Sequence, residues 1–140
     1  MTVLQMTADE LQQFLARDFG QVAEDFTVER ADGAGLCLRL RVADRHLRPG
    51  GTVSGPAMFG LADVAMYLAI LARIGPVALA VTTNCSIDFM RKPVAGRDLL
   101  AEARVLKLGR VLAVGDVLIF SEGEGQPVAR AGLTYSIPPK

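Results

Sequence analysis

Histidine is almost missing from this chain. His46 is the only one in 140 residues, and only two cysteines, Cys37 and Cys85, accompany it. A metal site of several His or Cys ligands is therefore not expected. The two cysteines lie far apart on strand-like runs. They read as small core residues in a reducing, cytoplasmic setting and not as a disulfide framework. Charge of one sign is not in excess either: Lys plus Arg and Asp plus Glu each number 15. With no block of like charge and no zinc-finger-like motif, the chain carries no feature that would recruit nucleic acid. The N-terminal residues lack the basic region and apolar core of a secretory signal. Gly50, Gly51 and Gly55 have no strand–GxGxxG–helix context, so they do not form a nucleotide-binding loop.

What the chain does have is apolar side chains, 51% of the total. That surplus predicts a buried central element or a large subunit interface. The length suits one domain, residues 1–140, with volume for a real core. The run AMFGLADVAMYLAILA, from Ala57 to Ala72, holds a single charged side chain, Asp63. As a helix it is apolar on every face and must be covered nearly all round. It is barely long enough to span a membrane and is interrupted by Asp63 near its middle, so a soluble buried helix is the expectation. A carboxylate placed there loses hydration, which is expensive without donors or a water path. Two readings stand: an acid kept for chemistry, since desolvation makes a carboxylate a better base, or an Asp that satisfies an internal donor.

Punctuation residues divide the rest. Thr7 and Glu10 suit the start of a short amphipathic helix carrying Leu11, Phe14 and Leu15 on one face. Phe26–Ala31 and Leu36–Val42 are strand-like and flank the turn Asp32-Gly33-Ala34-Gly35. Ser54 suits a helix cap, Pro56 a first turn, and Gly75-Pro76 a helix stop. Val77–Phe89 alternates from Val81, placing Thr82, Asn84, Ser86 and Asp88 together on a polar face. Leu99–Leu106, Val111–Phe120 and Val128–Ile137 follow, with hairpin-like turns at 107–110 and 122–125 and a longer one at 91–96. The economical arrangement is α+β: a curled antiparallel sheet of five or six strands wrapped round one long helix. One sheet has one concave face, so the helix's other apolar side calls for a second copy of the chain.

The run Arg48-Pro-Gly-Gly-Thr-Val-Ser-Gly-Pro-Ala-Met-Phe-Gly-Leu-Ala-Asp63 resembles the signature of hotdog-fold acyl-CoA thioesterases of the phenylacetate-pathway type. In that family a His-Gly-Gly triplet opens the central helix and an acid follows nine positions after the His, the spacing of Ser54 to Asp63. The stretch Ser86 to Val114, with Phe89-Met90 and Arg91-Lys92-Pro93, is similar to the family's third and fourth strands and the following hairpin. The resemblance implies the hotdog fold, a homodimer or dimer of dimers, no cofactor, and hydrolysis of an acyl-CoA between subunits. It implies Asp63 as general base or nucleophile and the Gly55 N–H as oxyanion donor at a helix N-terminus. A hydroxyl on the third strand, Thr82, is implied to hold the water.

The departures are specific. Ser54 replaces the family's His, Pro56 replaces the second Gly and has no N–H, and Arg48 stands where an Asn is frequent. Asn84 or Ser54 is a candidate substitute polar group. Arg48 is a candidate partner for a ligand carboxylate or for Asp63. Arg91 and Arg110, with Lys92 and Lys107, lie in turns that the family places near CoA; guanidinium suits phosphate. Met58 and Tyr67 flank Asp63 and are candidates for an acyl pocket. His46 is expected to be a water-exposed loop residue. A non-catalytic acyl-CoA or fatty-acyl binding module is the alternative function. An enoyl-thioester hydratase or dehydratase is disfavoured, because Tyr67 and not a His stands four residues after Asp63.

Overall fold

Thr7 and Glu10 cap the first helix reciprocally: the Thr7 hydroxyl accepts from the Glu10 N–H, and the Glu10 carboxylate accepts from the Thr7 N–H. In the computed structural model, which describes residues 4–139, helix α1 then runs Ala8–Asp18. The expected domain of 1–140 includes residues 1–3 and 140, which lie outside the described residues. A one-turn helix α2 (Gly20–Ala23) leads into β1 (Phe26–Asp32) and β2 (Gly35–Leu40). Helix α3 spans Gly55–Ile74, followed by β3 (Val81–Phe89), β4 (Leu99–Leu108), β5 (Leu112–Ser121) and β6 (Ala129–Ser136).

The six strands form one antiparallel sheet in the order β1-β2-β4-β5-β6-β3. The 91–98 segment does not return beside β3. It crosses to set β4 against β2, and β3 becomes an edge strand paired with β6 alone. The sheet wraps α3, which packs on β2, β4 and β5. Leu61, Met66, Leu68, Ile70 and Leu71 are fully buried, and each contributes roughly 1.5–3 kcal/mol of apolar burial. Packing is tight at Gly115 of β5, where an added Cβ would lie 2.4 Å from Met66 Cε and 2.5 Å from the Arg104 carbonyl oxygen. Gly75 ends α3 at φ 93°, ψ −175°, a conformation open essentially to glycine alone. The long helix has the length and hydropathy of a membrane span, yet most of it is buried inside this fold.

One expectation needs correction. The side of α3 that the sheet leaves open is not wholly left for a second copy. Its C-terminal half is covered by the chain's own α1, through Leu11, Phe14 and Leu15, and by Gln5 and Met6, whose N–H groups reach the Ala72 carbonyl. Gln12 fastens α1 to β1. Its amide donates to the Phe26 carbonyl and accepts from the Val28 N–H, standing in for a strand partner beside the β1 irregularity. What stays open is the N-terminal half. There Phe59 is exposed, as are Val81 and Phe89 at the two ends of β3.

Candidate active site

Asp63 sits in the third turn of α3, on the side facing β3 and the end of β6. It is half-buried. Thr82 Oγ1 donates to Asp63 Oδ1 at 2.6 Å, and the Tyr135 hydroxyl lies 2.6 Å from the same oxygen and 2.9 Å from the Asp63 carbonyl oxygen. Oδ2 has no hydrogen-bond partner among the described residues. Asp63 borders an open cleft of about 670 Å³ walled by Phe19, Val22, Val64, Tyr67 and Ala80, with Thr82 and Tyr135 beside the acid. The acid expected to stand in apolar surroundings therefore has an internal clamp on one oxygen and no partner on the other among the described residues.

Thr82 reaches Asp63 for a reason that simple alternation misses. Thr82 pairs with Tyr135 and Asn84 with Thr134, so the register slips at Thr83. This bulge turns Thr82 to the helix side while Asn84 keeps to the outer face, where it is exposed. The expected shared polar face of Thr82 and Asn84 does not exist, and Asn84 is not brought to Asp63. Tyr135 carried no functional expectation. It lay within the expected strand Val128–Ile137, and a strand assignment says nothing of where a phenol oxygen ends. Burial and the neighbouring Asp63 charge push the Tyr135 hydroxyl well above the usual phenol range, and burial pushes the Cys85 thiol up as well.

The remaining candidates are dispersed. Tyr67 lines the cleft with its ring, but its hydroxyl donates to the Ala78 carbonyl at 2.9 Å. Met58 is buried in the core. Ser54 caps α3, its Oγ accepting from the Ala57 N–H at 3.2 Å. Pro56 has no N–H and Ala57 is capped, so among N–H groups 55–57 only that of Gly55 stays free. A Cβ on Gly55 would lie 3.3 Å from Phe89 Cζ, placing the helix start at the far end of β3 from Thr82. Gly55 and Asp63 are eight residues apart on α3, about 12 Å along its axis. Arg91 follows the Phe89 end of the sheet and donates to the Pro127 carbonyl. Arg110 is exposed in the β4–β5 turn, at the Val81–Ser136 end, so roughly 25 Å of strand separates the two arginines. Arg48 is exposed, and no ion pair involves it among the described residues.

His46 corrects another expectation, because it is buried and not exposed to water. Its Nδ1 accepts from the Ala43 N–H at 2.9 Å, its carbonyl accepts from the Ser54 N–H at 2.8 Å, and Nε2 lies 3.4 Å from Asp25 Oδ2. It braces the loop that delivers Ser54 and Gly55. No group of three His, Cys, Asp or Glu side chains is placed to hold a metal among the described residues.

Known proteins share this fold. The model of the thioesterase superfamily matches residues 50–128. Human acyl-coenzyme A thioesterase 13 is 30% identical over 117 residues, covering 82% of this chain and 81% of that protein. A crystal structure of a proposed thioesterase from Silicibacter sp. TM1040 is 56% identical with a TM-score of 0.92, covering 99% of this chain and 96% of that one. A mutant form of the phenylacetic acid degradation protein PaaI from Thermus thermophilus is 29% identical with a TM-score of 0.73, covering 85% of this chain and 99% of that one.

Proposed function

This chain belongs to the thioesterase superfamily, and from that premise we propose that it hydrolyses acyl-CoA thioesters to free acid and CoA at a site shared by two copies. The observation that carries the reading is Asp63: one oxygen is clamped by two hydroxyls, the other has no hydrogen-bond partner among the described residues, and the residue lines a mostly apolar cleft. Oδ2 takes the proton of a water that attacks the thioester carbonyl, so that a C–O bond forms, the C–S bond breaks and the thiolate leaves with a proton; alternatively Oδ2 attacks directly, expelling the thiolate to form an acyl–Asp63 anhydride that water then cleaves to the free acid and Asp63. The carbonyl oxygen needs a donor as charge builds on it. The free Gly55 N–H is suited to that task but stands about 12 Å away along the helix in the same chain.

A second copy removes the distance. Edge strand β3 carries Thr82 near one end and Phe89, over Gly55, at the other. Antiparallel pairing of two β3 edges about a two-fold axis reverses the ends, so Gly55 of each copy faces Asp63 of the other. The same pairing covers the exposed Phe59, Val81 and Phe89 and the open backbone edge.

Asp63→Asn tests the reading. Asn keeps an oxygen for Thr82 and Tyr135 and so keeps the fold, but it cannot take a proton. Steady-state assay over a broad acyl-CoA panel is expected to show kcat lowered roughly 10²–10⁴-fold. Equal background hydrolysis by both forms would refute the enzyme. The binding-module reading would then stand, favoured by a Ser54 hydroxyl already engaged in capping.

A further inference from the structure

We propose that Tyr135 is a positioning residue that, paired with Thr82, dictates which oxygen of Asp63 reacts; the inference rests on the hydrolase reading above. A carboxylate on a helix presents two chemically equivalent oxygens that exchange by rotation about its last bond. Here the rotation is blocked. Oδ1 receives Thr82 at 2.6 Å and Tyr135 at 2.6 Å, both within the range of charge-assisted O–H···O⁻ bonds. A phenol has one proton, and its two acceptor contacts are unequal. The carboxylate at 2.6 Å is the stronger acceptor than the Asp63 carbonyl at 2.9 Å, so the proton lies toward Oδ1.

Tyr135 can hold that oxygen because it is itself held. Its ring is buried on the interior strand β6 and stacks on Tyr67 with centroids 6.1 Å apart at 27°. Tyr67 is in turn fixed by its bond to Ala78 and by the edge of Phe19. Thr82 lies on the edge strand at a bulge and has a freely rotating hydroxyl, so the phenol is the firmer of the two anchors. Burial and the Asp63 charge keep the phenol protonated, so it donates throughout the working range and cannot itself act as the base. The other titratable groups facing this corner are Cys85, Tyr67 and, on the cleft wall, Asp18. Cys85 and Tyr67 are held neutral by burial, leaving Asp18 as the one other charge facing this corner among the described residues. A reacting oxygen misplaced by about 1 Å is enough to lose about 10²-fold in rate.

Tyr135→Phe removes the hydroxyl and keeps the ring stack. The expected result is a kcat lowered roughly 10–100-fold with KM little changed. Thr82→Val should act in the same direction, and the double variant should fall short of the product of the two effects. Thermal unfolding verifies that the variants are folded. A Tyr135→Phe protein with unchanged kcat, or with KM raised in step with the fall in kcat, would overturn the proposal. Should the unaltered chain hydrolyse no acyl-CoA, the functional reading fails on its own. Crystal structures then decide the positioning claim: an Asp63 side chain turned to a second rotamer in Tyr135→Phe upholds it, and an unmoved one overturns it.

Discussion

Two inactive variants should restore one another when mixed. Gly55→Pro deletes the one free N–H at the start of α3; because Pro56 follows, the new ring also restrains a helical residue, so thermal unfolding verifies that the variant is folded. Ser54 is already extended at ψ 159°, as the residue before a proline must be, and position 55 opens the helix, where proline is tolerated. The new Cβ meets only Phe89 at 3.3 Å, a half-exposed ring on an edge strand that can give way. Loss of an oxyanion donor lowers kcat by roughly 10²–10³-fold, and Asp63→Asn by a similar or larger factor. If Asp63 of one copy works with Gly55 of the other, a mixed dimer holds one intact site and one doubly altered site. Random exchange makes half the dimers mixed, so the mixture should recover about one quarter of the native specific activity. The assay is acyl-CoA hydrolysis after subunit exchange, with exchange verified by native mass spectrometry. A mixture that has exchanged yet stays at the average of its parents would refute the shared site. It would require the acid and the amide to serve one substrate from a single chain.

Gly115→Ala should destabilise by roughly 1–3 kcal/mol, because its Cβ would overlap Met66 and the Arg104 carbonyl, and α3 must lift from β5; thermal unfolding reads this directly. Burial and the nearby Arg45 charge hold His46 below the usual imidazole range. The unfolded chain therefore takes up a proton that the folded chain refuses, so stability is full above about pH 6.5 and falls as pH drops below it. Urea midpoints between about pH 7.5 and 5.5 should show that decline in the native protein and less of it in His46→Gln.

Local chemistry explains which parts were legible in the chain. The Thr7–Glu10 cap, the Ser54 cap and the Gly75 stop each act within a few residues. The hairpins at 107–110 and 122–125 close equally short loops. Asp63 stood out because one charge in an apolar helix conflicts with its surroundings at any tertiary arrangement. The burial of His46 was not legible, since a loop next to Asp25 and Ser54 looks polar until the chain folds over it. Nor was the cover that α1 gives α3, because an amphipathic helix does not name its partner.

Residue identity and order therefore determined the long helix, the first helix and the six strands to within a few residues, and the lone acid of the core helix, but not the short helix α2. These follow from steric preference, hydrogen-bond saturation and hydration over a few residues. Three-dimensional packing alone decided that β3 pairs with β6 at the sheet edge, that a bulge at Thr83 swings Thr82 inward, and that Tyr135 meets it on one oxygen of Asp63. Those contacts join groups 19 and 72 positions apart, and no rule of local spacing carries information across such lengths.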